Sequence, residues 1–304
     1  AGPADGPLAV LLHGFPVSSH WWRHQVAPLA VAGWRVLVRD QRGYGGSSAP
    51  PDVAAYAGDH LADDVMGLLD AVGSERAVIV GHDWGALLAW HIGRTRPERC
   101  RAVIAASVPF NDWPAPPIEV FKALHGDNFF YILYFQQPGV AETELDADPD
   151  RFLRAIIWAA DGGVENGLAS PLPATGTGLT ESFEHTLGRV PDDLPAWLSD
   201  DDFHRWAAPF HTSGFFGPVS WYRHFDTNYE RTKGITPDVY TMPTAFVAGA
   251  ADPVVTRRPE VVDAMTATLP NHLDSHLIPG AGHWVQQSAP DEFNDWLLGI
   301  LGRL

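Results

Sequence analysis

Cysteine, cationic side chains and long apolar runs are all scarce in this sequence. Cys100 is the only cysteine, so no disulfide can form within the chain, and a reducing compartment is expected. No apolar run approaches the roughly 18 residues that a membrane-spanning helix needs, and no charged-then-apolar signal segment is found. We therefore expect a cytoplasmic protein without membrane insertion.

Negatively charged residues outnumber positively charged ones, and this excess limits the classes of molecule that the protein is expected to bind. The 20 lysines and arginines face 37 aspartates and glutamates, and the formal net charge is −17. Such a charge disfavours binding to nucleic acid or to an anionic membrane surface, but it does not restrict a small neutral substrate. With 45% hydrophobic and 19% charged residues in a chain of 304, the composition is that of a globular protein.

Short apolar runs alternate with helical patterns in the first third of the chain. Apolar residues from Leu61 to Val72 recur at helical spacing, and a second helix is expected between Trp84 and Pro97. Strands are predicted at residues 8–12, 34–38, 77–80 and 101–107. This alternation predicts an α/β fold with a mostly parallel sheet flanked by helices on both faces.

The alternation stops at about residue 111 and resumes after residue 237. The intervening part is rich in aromatic residues and proline and has helical patterns. Beyond it we predict strands at 244–249 and 275–278 and helices at 259–269 and 290–301. The simplest interpretation is a core made of residues 1–111 and 239–304, with a helical cap, or lid, of residues 112–238 inserted between core strands. Two tandem domains are a weaker interpretation, because core strands resume after the insertion.

The strand predicted at 77–80 runs into Gly81-His82-Asp83-Trp84-Gly85. A residue flanked by glycines between a strand and a helix is typical of the nucleophile elbow of the α/β-hydrolase fold. A carboxylate attacks an activated saturated carbon, such as that of an epoxide or alkyl halide, and forms an ester. An esterase is disfavoured, because it needs serine or cysteine at position 83.

An aspartyl nucleophile also requires an oxyanion hole, a base that activates water and an acid that orients the base. The loop after the first strand contains Phe15, and Trp84 follows Asp83 directly. We predict that the backbone N–H groups of these two residues form the oxyanion hole. His283, in a glycine-rich loop after the last strand, is the predicted base. Asp252, after the strand at 244–249, is the predicted acid, and Asp112 is the alternative.

Opening an epoxide creates an alkoxide, which needs a proton donor. A phenol with its ordinary pKa near 10 stays protonated at neutral pH and can donate that proton. The predicted cap contains tyrosines in Tyr-Ile-Leu-Tyr-Phe-Gln-Gln-Pro-Gly, from Tyr131, and in Ser-Trp-Tyr-Arg, which includes Tyr222. We therefore expect the cap to present tyrosine hydroxyls above Asp83.

These motifs together resemble the epoxide hydrolases of the α/β-hydrolase superfamily, in particular the soluble, mammalian-type branch. The resemblance covers nearly the whole chain, and the two cap motifs are its most selective part. It implies that Tyr131 and Tyr222 assist ring opening, with Tyr134 as an alternative to Tyr131 on the same helix face. It also implies an apolar substrate tunnel, no metal and no cofactor. We expect these aromatic residues to contact the substrate: Phe15, Trp84, Phe135, Trp221 and Trp284.

Hydrolases of this class usually have an antiparallel hairpin before the first strand, and we expect either a sheet that is short at one edge or a segment missing from the sequence. The expected partners are a small apolar or aryl epoxide and water, and the oligomeric state stays open, with a homodimer among the options.

Two other functions compete. A haloalkane or haloacid dehalogenase shares the aspartyl elbow. Enzymes that resemble haloalkane dehalogenases usually have asparagine where this chain has Phe15, and fluoroacetate-type relatives usually have arginine where it has Trp84, so both resemble this chain less. A non-catalytic ligand-binding homologue is disfavoured by the presence of every expected catalytic residue.

Overall fold

The centre of the structure, a computed structural model that describes residues 1–161 and 172–304, is a parallel sheet. Its strands are β1 (Leu8–Leu12), β2 (Arg35–Val38), β3 (Ala77–His82), β4 (Cys100–Ala106), β5 (Thr244–Gly249) and β6 (His272–Ile278). They lie in the order β2-β1-β3-β4-β5-β6, and every adjacent pair is parallel. The predicted α/β architecture is thus confirmed.

Helices connect and cover these strands. The helices of the first part are α1 (Arg23–Val31), α2 (Gly58–Ala71) and α3 (Trp84–Thr95). Those between β4 and β5 are α4 (Pro117–His125), α5 (Tyr131–Tyr134), α6 (Val140–Ala147), α7 (Pro149–Ala160), α8 (Leu179–Leu187), α9 (Asp200–Ser213), α10 (Phe216–Ser220) and α11 (Phe225–Thr232). The last are α12 (Pro253–Thr256), α13 (Pro259–Thr268), α14 (Val285–Ser288) and α15 (Pro290–Leu301). In the described ranges, no helix is both long enough and apolar enough to cross a bilayer.

Burial explains why the inner strands are predicted over most of their length, whereas the edge strand β6 is predicted only from residue 275. Every residue of β1, β3 and β5 is buried, so these strands are continuous apolar runs. In β6 only Ile278 is buried, and the strand begins at His272, three residues before the predicted start at residue 275. One side of an edge strand faces solvent, so polar residues such as Asp274 are tolerated there and the apolar signal is lost.

The sheet topology brings five loops to one edge. Loops that follow β1, β3, β4 and β5 carry Phe15, Asp83, Ser107 and Asp252, and the loop after β6 carries His283. Since all strands are parallel, their carboxyl ends meet at the same edge of the sheet, where open α/β sheets bind ligands.

The helical segment between β4 and β5 lies over this edge. The indole N–H of Trp206 donates to the carbonyl oxygen of Pro16 at 2.6 Å, and that of Trp221 donates to the carbonyl of Arg42 at 3.1 Å. On the other side, the N–H of His283 donates to the carbonyl of Ala160, at the end of α7, at 2.9 Å. These bonds hold the segment above the loops that carry the candidate catalytic residues.

Candidate active site

Asp83 lies on a sharp turn between β3 and α3. Its backbone angles are φ 55° and ψ −118°, a conformation that an L-residue adopts only when its surroundings enforce it. The motif glycines allow the close packing that does so, since a Cβ atom on Gly85 would lie 2.0 Å from the carbonyl oxygen of Leu12. The turn holds the Asp83 carboxylate at the carboxyl edge of the sheet.

Backbone N–H groups hold the Asp83 carboxylate. The Phe15 N–H donates to Asp83 Oδ1 at 2.7 Å, and the Trp84 N–H donates to the same carboxylate. Gly14 is necessary for this approach, because a Cβ atom there would lie 2.3 Å from Asp83 Oδ1. Burial raises the pKa of Asp83, while the charge of His283 and the two N–H groups oppose that rise by stabilising the ionised form.

His283 lies between two carboxylates. Its Nε2 is 3.7 Å from Asp83 Oδ2, and its Nδ1 is 3.3 Å from both carboxylate oxygens of Asp252. An ionised carboxylate only accepts hydrogen bonds, so Nδ1 carries the proton and the Nε2 lone pair faces Asp83. Burial alone would lower the pKa of His283, but the charges of Asp252 and Asp83 and the bond to Asp252 outweigh it and raise the pKa.

Asp252 is fully buried, yet neighbouring groups stabilise its ionised form. Burial favours its neutral form, but His283, the Ser107 hydroxyl and the N–H of Val254 together lower the pKa of Asp252. The alternative acid, Asp112, is 54% exposed and lies 2.7 Å from the guanidinium of Arg94. Of the two, only Asp252 contacts the imidazole.

Two contacts of His283 were not anticipated from the sequence. Ser107 Oγ lies 2.8 Å from His283 Nδ1, and His82 Nε2 lies 2.8 Å from the His283 carbonyl oxygen. Burial lowers the pKa of His82 to about 3, so its ring is neutral and its Nε2–H donates to that carbonyl. The available signal for Ser107 was its place directly after β4, at the same edge as Asp83.

Tyr131 and Tyr222 both line a cavity that contains Asp83, and their ring centroids are 5.7 Å apart. Burial, followed by the negative charge of Asp83, raises the pKa of both phenols, which therefore stay protonated. Tyr134 differs, because its hydroxyl donates to Glu144 Oε2 at 2.7 Å. Its hydroxyl is therefore engaged within the cap.

Side chains of the two cap motifs join the tyrosine-bearing segments. Arg223 Nη2 lies 2.7 Å from Glu142 Oε1, and Arg223 Nε donates to the carbonyl of Phe135 at 2.9 Å. Gln136 Nε2 donates to the carbonyl of Tyr222 at 3.1 Å. These bonds fix the segment of Tyr131 against the segment of Tyr222.

The cavity has a volume of about 400 Å³ and a mainly apolar lining that is rich in aromatic residues. Trp84 and Trp221, two of the residues predicted to contact substrate, line it together with Phe121 and Phe225. The other three predicted contacts, Phe15, Phe135 and Trp284, do not.

The side chains outside the cavity lining pack behind the site. Phe135 and Trp284 have no exposed surface, and the ring of Trp284 packs at 4.7 Å from that of His283. Phe15 packs its ring against Tyr222 at 5.2 Å, and it contributes its backbone N–H to the site. In residues 1–161 and 172–304 there is no cluster of three or more side chains that could hold a metal ion.

The parallel sheet, the strained elbow and the Asp83, His283 and Asp252 cluster together define an α/β-hydrolase with aspartate at the nucleophile position. Residues 7–138 match the family model described as the alpha/beta hydrolase fold. The chain is 42% identical to Epoxide hydrolase A of Mycobacterium tuberculosis over 309 aligned residues. This alignment covers 99% of this chain and 92% of that protein. It is 35% identical to the Bifunctional epoxide hydrolase 2 of Mus musculus over 97% of this chain and 51% of the relative.

Solved structures give the same result. Epoxide Hydrolase A from Mycobacterium thermoresistibile superposes with a TM-score of 0.89 at 42% identity, over 99% of this chain and 92% of that one. An epoxide hydrolase from an endophytic Streptomyces superposes with a TM-score of 0.91 at 36% identity, over 98% and 89% of the two chains. The chain therefore belongs to the epoxide hydrolases of the α/β-hydrolase fold, and it is a hydrolase enzyme.

Proposed function

We propose that the enzyme converts an epoxide to a vicinal diol through a covalent ester on Asp83. The Asp83 carboxylate attacks one carbon of the epoxide from the side opposite the C–O bond, which breaks as the ester forms. Because Oδ1 accepts the Phe15 N–H, we assign the attack to Oδ2. The Asp83 side chain lines the same cavity as Tyr131 and Tyr222.

Tyr131 and Tyr222 supply protons to the leaving oxygen. Their raised pKa values keep both hydroxyls protonated in the free enzyme, so they can donate hydrogen bonds to the epoxide and one proton to the alkoxide. The Tyr134 hydroxyl is already bonded to Glu144 and has no part in this step.

Hydrolysis of the ester uses the other side of the site. His283 Nε2 takes a proton from water, the water oxygen attacks the Asp83 carboxyl carbon, and Asp252 stabilises the imidazolium. The N–H groups of Phe15 and Trp84 stabilise the oxyanion. As it collapses, the His283 imidazolium gives its proton to the expelled diol oxygen, and the proton left on the Asp83 carboxyl group replaces the one that the tyrosine donated. The Asp83 carboxylate is thereby restored and the diol is released.

We further propose that residues 112–238 act as a cap that encloses the reacting centre, and that residues 1–111 and 239–304 form the catalytic core. The aromatic lining of the cavity favours an apolar or aryl epoxide over a charged one. Excluding bulk water from this cavity would strengthen each electrostatic contact to the leaving oxygen.

The observation that carries the proposal is the meeting of three groups in one cavity: a carboxylate held by backbone N–H groups and two protonated phenols. An acyl-transfer enzyme has no use for two phenol proton donors in the cavity of its nucleophile. A proton source is required when the leaving group is an alkoxide bound to the same carbon skeleton.

The test uses a styrene-oxide-like epoxide and the variant His283→Gln. We expect this variant to consume about one equivalent of epoxide and to gain the substrate mass on the peptide containing Asp83, since only hydrolysis needs the base. Single turnover of the unmodified enzyme in H₂¹⁸O should label Asp83 and leave the diol unlabelled. Label in the diol would instead show direct attack by water. A bromoalkane should release no halide, and its turnover would favour the dehalogenase.

A further inference from the structure

Ser107 has the closest polar contact to the base, and the proposed reaction does not use it. Its Oγ lies 2.8 Å from His283 Nδ1, nearer than either oxygen of Asp252 at 3.3 Å. The side chain has no exposed surface, and the Ser107 hydroxyl also lowers the pKa of the Asp252 carboxyl. Ser107 thus joins the base to the acid.

The hydrogen positions follow from the partners. The acid is an acceptor only, so the Ser107 O–H donates to Asp252 and the Ser107 oxygen accepts from His283 Nδ1–H. This serine faces Nδ1, whereas the nucleophile of a serine hydrolase faces the nitrogen that accepts its proton. The Nε2 side is occupied by Asp83, so Ser107 cannot act as a nucleophile activated by His283.

The backbone of Ser107 is held in a conformation that serine rarely adopts. Its φ is 72°, and only Ser107 and Asp83 have positive φ among the non-glycine residues described. Its N–H donates to the carbonyl of Val247 on β5 at 2.9 Å, which ties the turn after β4 to the neighbouring strand. The free-energy cost of such a conformation has to be compensated by its surroundings, and strained residues of this kind cluster at functional sites.

We propose that Ser107 is a positioning residue for the second half-reaction, in which its hydroxyl fixes the imidazole of His283 against Asp252. The proposal rests on the assignment of His283 as the base. At 3.3 Å the two carboxylate oxygens are equally distant from Nδ1 and orient the ring weakly. The shorter bond to Ser107 selects one ring orientation, with the Nε2 lone pair directed to Asp83.

The experiment measures the two half-reactions separately in Ser107→Ala, by quenched-flow mass spectrometry of the Asp83 ester. Alkylation does not use the base, so its rate should stay within about twofold. Hydrolysis should slow by about tenfold, the size expected for one lost hydrogen bond, and the ester should accumulate. The pH midpoint of hydrolysis should also fall, because the imidazolium loses its nearest acceptor. The titratable groups that face this ring are Asp83, Asp252 and His82.

Ser107→Gly removes the hydroxyl and also the constraint on φ, so it provides a folded variant if Ser107→Ala is unstable. Thr244→Val is the matched control. Thr244, at the start of β5, is also buried and its Oγ1 lies 3.1 Å from Nδ1 of another histidine, His272. Removing this hydroxyl should change neither half-reaction.

Hydrolysis at the unmodified rate and with the unmodified pH midpoint in both Ser107 variants would overturn the proposal. An equal loss in alkylation and hydrolysis would also overturn it, since that result indicates a general structural defect. Failure of the proposed function gives a different result, namely no Asp83 ester in any variant.

Discussion

His283 Nε2 lies 3.7 Å from Asp83 Oδ2, which is longer than a hydrogen bond. The proposed base therefore faces the proposed nucleophile without a hydrogen bond to it. The carboxylate is held instead by the N–H of Phe15 on its other oxygen. Nucleophilic attack and water activation can consequently be disabled one at a time, and the predictions below make use of that separation.

Replacing the nucleophile should remove turnover without unfolding the protein. Asp83→Asn keeps the shape of the side chain but removes the attacking charge, so we expect kcat to fall by about 10⁴-fold or more. Diol formation and thermal unfolding would be measured side by side. Retained turnover with intact asparagine, verified by peptide mass, would exclude Asp83 as the nucleophile.

Replacing either cavity tyrosine should slow only the alkylation step. Tyr131→Phe and Tyr222→Phe each remove a proton donor, and general-acid magnitudes predict a loss of about 10²–10⁴-fold in the single-turnover alkylation rate. Tyr134→Phe is the control, because the Tyr134 hydroxyl bonds Glu144. Slow alkylation in Tyr134→Phe together with unchanged alkylation in Tyr131→Phe would instead assign the proton donor to Tyr134.

Acid should stop hydrolysis before it stops alkylation. Only the neutral imidazole takes a proton, so hydrolysis falls as the pH is lowered through the pKa that His283 has in the ester, where Asp252 still raises it and the charge of Asp83 no longer does. Of the groups used in alkylation, acid changes only the Asp83 carboxylate, whose ordinary pKa is 3.8 although burial raises it, while both phenols stay protonated. Quenched samples should therefore contain a growing fraction of alkylated enzyme as the pH falls below neutrality, and a constant fraction would contradict the assignment of His283.

Breaking the buried ion pair of the cap should destabilise the protein. Arg223 and Glu142 are 4% and 8% exposed, so Arg223→Ala leaves a buried carboxylate without its partner and should cost about 3–5 kcal/mol in the free energy of unfolding. The exposed pair of Arg189 and Asp192 supplies the control, since Arg189→Ala should cost about 0–1 kcal/mol. Urea unfolding measures both, and equal values would mean that the buried pair contributes no more than a surface one.

The central strands and the sharp turn at Asp83 could be predicted because their signals are local. The apolar run of β3 and the motif around Asp83 lie in adjacent residues, and each strand end indicates which loop reaches the common edge. The start of β6 could not be predicted, because polar residues are tolerated on an edge strand.

For the remaining site residues, the direction in which each side chain points could not be predicted from the sequence. Tyr131 and Tyr134 lie one helical turn apart, and only three-dimensional contacts show that one lines the cavity while the other bonds Glu144. The substrate contacts of Phe135 and Trp284 stay predictions, since aromatic residues serve equally in a tunnel wall and in a core, and both side chains are buried outside the cavity lining. Ser107 was missed because a single serine after a strand has no distinguishing pattern.

In the proposed mechanism, the position of His283 between two carboxylates sets the order of the two steps. While Asp83 is ionised, its charge favours the protonated imidazole, which is a poor base. Formation of the ester neutralises Asp83 and removes that influence, so the affinity of the ring for its proton decreases at the moment when a free lone pair is needed. Formation of the covalent ester thus makes His283 a better base for the step that hydrolyses it.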